Sequence, residues 1–153
     1  MLNYLIRDAS GKDLPEILRI ENSWDSTPHW NQKQFERELE LPFSHLWIAE
    51  LDSRAAGYLC FWKLDQEIQI ADIAVEPQWK GHGLAEGLVR KLIREAKECS
   101  IPLITLEVRE DNLPAIRLYE KSGFQIVGRR PKFYNRGPAP NPVCDALLME
   151  LKL

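Results

Sequence analysis

Residues 75–93 read VEPQWKGHGLAEGLVRKLI. The segment Lys80-Gly81-His82-Gly83-Leu84-Ala85 stands between an apolar run, Ile70 to Val75, and a stretch that repeats apolar residues every four positions. Such a segment can bind an anion. The first N–H groups of a helix have no partner inside it, and the helix dipole favours negative charge at that end. Gly81 and Gly83 permit positive φ and let a phosphate approach the backbone. The donors would be the N–H groups of His82, Gly83, Leu84 and Ala85, with Lys80 and Arg90 or Lys91 adding charge. The loop is not a Walker motif, because Gly-Lys-Ser/Thr is missing, and it lacks the three-glycine dinucleotide pattern. An ordinary strand-to-helix turn needing a glycine would look the same.

Two further residues, a glutamate and a tyrosine, have ordinary readings on local grounds. Glu107 is the carboxylate in the apolar stretch IPLITLEV (101–108), and Tyr119 lies on a short helical stretch beside Leu118. Taken alone, Glu107 reads as a strand residue facing solvent or paired with an arginine such as Arg109, and Tyr119 as a core aromatic. Partial burial of Glu107 would raise its basicity. Metal chemistry finds no support. Cys60, Cys99 and Cys144 are odd in number and lack ligand spacing, so they read as buried thiols in a reducing compartment. His29, His45 and His82 show no pairing either. No metal is expected.

The elements that position these residues follow from periodicity. Tyr4 to Arg7 is a short strand, and Ser10 or Asp13 caps a helix with Leu14, Ile17 and Leu18 on its apolar face. SWDSTPH (23–29) is a loop, and Asn31 caps a second helix through Phe35 and Leu39. HLWIAEL (45–51) and AGYLCFWKL (56–64) form a hairpin about a turn at 52–55, and Glu67 to Val75 is a third strand. A long amphipathic helix runs from Gly83 to Cys99, with Leu84, Leu88, Leu92 and Ala96 on one face. A strand at 101–108 follows, then a helix capped by Asn112, with Pro114 in its first turn and Gly123 ending it. FQIVGR (124–129) is a strand, 130–143 a proline-rich loop, and CDALLMEL (144–151) the last strand. The strands flanking the long helix form a right-handed βαβ unit and lie parallel. The expected fold is α/β, a mixed sheet covered by helices, in a single domain spanning 1–153. The 153 residues, 44% hydrophobic and 28% charged, are of a size for that. A net charge of −3 speaks against a dedicated nucleic-acid binder. No apolar run approaches a membrane span and the N-terminus lacks a signal-peptide pattern, so a cytoplasmic protein with no membrane partner is expected.

The loop and the stretch LEVREDNLPAIRLYEKSGF (106–124) together resemble the GNAT superfamily of acyl-CoA-dependent N-acyltransferases. The family loop, Gln/Arg-x-x-Gly-x-Gly/Ala, is matched by Lys80 to Ala85, with lysine in first place. Its second signature is matched by Asn112, Ala115, Tyr119, Gly123 and Phe124. The resemblance spans residues 4 to 151 and implies a partly splayed sheet with helices on both faces. Within the superfamily the chain most resembles the ribosomal-protein N-terminal alanine acetyltransferases (RimI type). The carriers are ADIAVEPQWKGHGLA, the 106–124 stretch, the terminal DALLMEL, and PHWNQKQFEREL (28–39), with Trp30, Asn31 and Phe35 in place. The resemblance implies that the anion is the pyrophosphate of coenzyme A and that acetyl-CoA is the cosubstrate. It implies Glu107 as proton acceptor, Tyr119 as proton donor, and contacts to acetyl-CoA from Ile73, Ala74, Val75 and Asn112.

Acyl transfer to an amine needs a neutral amine, a stabilised oxyanion and a protonated leaving thiolate. A backbone N–H at Val75, left unpaired by the strand, would serve the oxyanion. An α-amine, with a pKa of ~8, is about one-tenth neutral at neutral pH, whereas a lysine at ~10.4 costs on the order of 3 kcal/mol more. That agrees with the implied acceptor, a protein N-terminus such as that of a ribosomal protein. Trp24, Trp30, Phe133 and Tyr134 would line the acceptor groove, between the 23–31 and 130–143 loops. Glu36, Glu38, Glu40, Glu50 and Asp52 would attract a basic tail. The 130–143 loop looks longer than in those acetyltransferases, and Cys144-Asp145-Ala146 replaces their Glu-Asp-Ala. A small amine or a lysine side chain is the alternative acceptor. A catalytically silent acyl-CoA-binding module is the alternative from another class, and it would have no use for Glu107 and Tyr119.

Overall fold

A computed structural model gives the fold and describes residues 3–24, 29–134 and 144–153, with 132–134 in backbone alone. Among the described residues, strands β1 (Leu5–Asp8), β2 (Ser44–Leu51), β3 (Arg54–Lys63), β4 (Ile68–Val75), β5 (Leu103–Arg109), β6 (Gln125–Tyr134) and β7 (Cys144–Lys152) form one open sheet. Their order is β1-β2-β3-β4-β5-β7-β6. β4 and β5 are parallel, and the other neighbours are antiparallel. The helices are α1 (Leu14–Glu21), α2 (Gln32–Glu40), α3 (Leu84–Glu98) and α4 (Leu113–Lys121).

Each helix buries one stripe, and the two faces of the sheet take different helices. Leu14, Ile17 and Ile20 of α1 and Phe35 of α2 pack on Leu46, Ile48, Tyr58 and Cys60. Leu88 and Leu92 of α3 and Ile116 of α4 pack on the other face, against Trp47, Leu59, Ile104 and Leu106. The expected mixed sheet with helices on both faces is what forms.

The splay has a definite origin. β4 and β5 pair only through Ile68 with Ile104, Gln69 with Thr105 and Ile70 with Leu106. Against β3, Cys60 lies opposite Asp72 but Phe61 lies opposite Ile70, so Ala71 is an extra residue on β4. Such a bulge bends its strand and ends regular pairing. Beyond it, Asp72 to Val75 stay with β3 and leave β5, opening a gap between the two parallel strands.

Two boundaries depart from expectation. The hairpin turn is the pair Asp52 and Ser53, both at positive φ, and β3 starts at Arg54 rather than after residue 55. Two consecutive positive φ values are what a two-residue hairpin turn needs. Residues 130–134 belong to β6 and not to a loop, because Arg130 pairs with Ala146 and Tyr134 with Cys144. Pro131 falls within a register shift on an edge strand, where a missing N–H is tolerated. One cysteine also differs: Cys60 and Cys144 are buried, but Cys99 is exposed.

Candidate active site

The anion loop takes the conformation its glycines permit. Gly81 and Gly83 have φ of 81° and 86°, and a Cβ at either would meet nothing within 4 Å. The glycines are therefore required by backbone angle and not by crowding. Gly83 is the N-cap of α3 and no side chain caps that helix. Its first N–H groups thus lack partners inside the helix. His82 is the exception among the four expected donors, since its N–H already donates to the Trp79 carbonyl at 3.2 Å. Of the expected cations, Arg90 pairs with Glu86 at 2.8 Å and Lys91 lies over the Trp47 ring at 4.8 Å. Lys80 stays exposed at the loop.

The gap edge of β4 carries Ile73, Ala74 and Val75, each half-buried. The Glu76 N–H donates to the Ala56 carbonyl at 2.8 Å, next to the Gly57–Val75 pair. Antiparallel ladders alternate bonded and non-bonded pairs. Gly57 and Val75 are then a non-bonded pair, and the N–H and C=O of Val75 point away from β3. The Trp24 indole N–H donates to that Val75 carbonyl at 2.8 Å, and Lys80 Nζ lies 5.8 Å from the centre of the same ring. One residue of the α1–α2 connection thus touches both the gap strand and the anion loop.

The two proton-transfer candidates lie on opposite faces of the sheet. Ile104, Leu106 and Val108 of β5 face α3 and α4. By strand alternation, Glu107 faces the side of α1 and α2. Tyr119 sits on α4, on the other side, 4% exposed, with its ring 5.6 Å from that of Phe124. Between the two faces lies the gap where β4 and β5 part. Asn112 caps α4, its side chain accepting from the Ala115 N–H at 3.3 Å, and Gly123 ends α4 at φ 104°. The Glu107 side chain is 32% exposed and pairs with Arg130 at 2.7 Å. Arg109, the partner considered from sequence, binds Asp111 at 2.9 Å.

The acceptor side is partly described. Trp30 is half-buried and packs its ring 5.3 Å from Phe35, on the core under α2. The side chains of Phe133 and Tyr134, and residues 25–28 and 135–143 of the two groove loops, lie outside the described residues. Two of the acids expected to attract a basic tail are otherwise engaged. Glu38 is buried and accepts from Ser44 Oγ at 2.5 Å and Trp62 Nε1 at 2.9 Å, and Glu50 pairs with Arg7. No cluster of three metal-ligating side chains occurs among the described residues, and none of their helices is long and apolar enough to cross a membrane. Sequence reasoning missed Arg130 and a buried group made of Glu21, Tyr58 and Asp72. Asp72 was the available signal, a charge inside the otherwise apolar IQIADIAV.

Comparison with known proteins bears on all of this. Residues 12–124 match the model of the acetyltransferase (GNAT) family. A putative [ribosomal protein bS18]-alanine N-acetyltransferase of Bacillus subtilis is 35% identical over 145 residues, covering 94% of this chain and 92% of the relative. The [ribosomal protein bS18]-alanine N-acetyltransferase of Escherichia coli K12 is 30% identical over 141 residues, covering 92% of each. The crystal structure of the ribosomal-protein-S18-alanine N-acetyltransferase from Escherichia coli superposes with a TM-score of 0.89 at 27% identity, covering 98% of this chain and 94% of that one.

Proposed function

From the premise that this chain belongs to the acetyltransferase (GNAT) family and is an acetyl-CoA-dependent N-acetyltransferase, we propose that it acetylates the N-terminal α-amine of a cytoplasmic protein, alanine of a ribosomal protein in particular. The observation that carries this reading is end-to-end similarity, at 35% identity, to a putative ribosomal-protein alanine acetyltransferase. A small-amine acceptor or a silent binding module does not draw on it.

In this mechanism acetyl-CoA lies in the gap between β4 and β5. Its pyrophosphate meets the N–H groups of Gly83, Leu84 and Ala85 at the start of α3, with Gly81 shaping the turn, His82 beside it and Lys80 adding charge. Ile73, Ala74 and Asn112 hold the pantetheine arm. The acceptor amine approaches from the α1–α2 side, where Glu107 faces. Glu107 takes its proton, directly or through one water, while Arg130 keeps the carboxylate oriented. The amine nitrogen attacks the acetyl carbon, and the Val75 N–H supports the oxyanion. The C–S bond then breaks, and Tyr119 protonates the leaving thiolate from the opposite face. Trp24 and Trp30 form walls against which the N-terminal residues lie.

The test is a single peptide with N-terminal alanine and an internal lysine, compared with its N-terminally blocked form. Acetylation by mass spectrometry is expected on the free form and lost on blocking. Similar rates on both forms would assign the enzyme to side-chain amines instead.

A further inference from the structure

The reaction leaves one buried polar group unused. Tyr58 on β3 is buried, and its hydroxyl bonds to Glu21 at the end of α1 and, at 2.8 Å, to Asp72 Oδ2 on β4. A phenol has one hydrogen to give, and an ionised carboxylate only accepts. Tyr58 can therefore serve one carboxylate. Asp72 also accepts from the Ile73 N–H, but Asp72 and Glu21 bond to each other as well, and two carboxyl groups can do that only with a proton between them.

The surroundings favour that proton. Burial pushes the Tyr58 phenol far up, so it stays a donor. Burial, and then the adjacent Glu21 carboxyl, hold Asp72 well above the usual carboxylate range. Among the described residues, no lysine or arginine packed around the pair is free to neutralise two carboxylates. Cys60 on β3 is a thiol pushed up to about 12, chiefly by burial. Glu38 of α2 is engaged by Ser44 and Trp62. Arg19 of α1 is turned to Glu16 and Glu76. His29 of the α1–α2 connection has Nδ1 3.8 Å from Glu21 Oε1, beyond hydrogen-bond reach.

The group also has a telling position. Asp72 directly follows the Ala71 bulge and precedes Ile73 to Val75 on the gap edge. Glu21 ends α1, three residues before Trp24, whose indole holds the Val75 carbonyl. We propose that Glu21 and Asp72 share one proton beside the Tyr58 phenol, and that this pair of carboxyls is a positioning device locking the end of α1, with Trp24 after it, to the gap strand for acceptor binding. In part this rests on the acetyl-transfer reading above, but its first test does not.

A carboxyl whose pKa is raised on folding binds more protons folded than unfolded between its two pKa values. Stability then falls as pH rises from about 4 until the folded pKa is passed. Asp72→Asn keeps the shape and removes the titration. Melting curves of the parent and Asp72→Asn, from about pH 4 to about pH 9, are expected to diverge. The parent's folding constant should fall relative to the variant by up to about tenfold per pH unit. Glu21→Gln, which removes the other half of the pair, should diverge from the parent in the same direction. Parallel curves for both variants overturn the shared proton. For positioning, the readout is kcat/KM for the acceptor peptide. The ratio of Asp72→Asn to parent should rise with pH while KM for acetyl-CoA stays the same. A flat ratio, or a matching change in KM for acetyl-CoA, overturns the positioning role. If the α-amine reading itself fails, neither protein acetylates the peptide and the melting curves still diverge.

Discussion

In the proposed mechanism Tyr119 and Glu107 divide the proton work by side of the sheet, which makes their removal distinguishable. Tyr119→Phe deletes one oxygen from a buried ring that packs on Phe124. Packing is kept and the proton for the thiolate is lost. The expected result is a kcat lower by about 10²–10⁴, the usual worth of a general acid, with KM for acetyl-CoA nearly unchanged. Steady-state kinetics check this, and a kcat equal to the parent's would make Tyr119 a packing residue alone. At this scale the sequence was only partly readable. Glu107 sits in an apolar strand, yet the neighbour that pairs with it, Arg130, comes from β6 across β7. Register between distant strands is set by tertiary packing, and no local spacing carries it. The same holds for Asp72, whose partners Tyr58 and Glu21 come from β3 and α1.

In the proposed mechanism the loop before α3 binds through an element's end and not through side chains. Gly83 is the N-cap at φ 86° with no side chain contributing a cap bond. Acetyl-CoA at a hundred times its dissociation constant should stabilise the parent by about 2.7 kcal/mol. Gly83→Asp sets a charge against the phosphate and should abolish that gain. Gly83→Asn imposes similar backbone strain without charge and should retain most of it. Differential scanning fluorimetry with and without acetyl-CoA measures both, and an unmoved parent melting point would refute the site. Elements were the most legible level. The fourfold spacing of Leu84, Leu88, Leu92 and Ala96, the Asn112 cap and Gly123 at φ 104° all carry local signals that the fold obeys. The miss at 130–134 has a physical cause. Pro131 marks a loop by local rule, but an edge strand has one side free of ladder bonds and accepts it.

Across the whole molecule, the ladder joining the two parts of the sheet is three residue pairs long. The parallel pairing of β4 with β5 was legible from the βαβ unit, but not the place of β7 between β5 and β6, nor where the parallel pair parts, because Ala71 carries no bulge signal in sequence. That short seam has a consequence for amide hydrogen exchange. Past Ala71, β4 is bonded on one edge only, so its amides should alternate. Ala74, paired with Tyr58, should exchange slowly, and Val75, facing the gap, should exchange fast. Acetyl-CoA should slow Val75 and leave Ala74 as it was, and equal rates at both positions in the free protein would contradict an open gap. On the proposed reading acetyl-CoA takes the place of a missing strand, and each release of coenzyme A would reopen the sheet along its own centre.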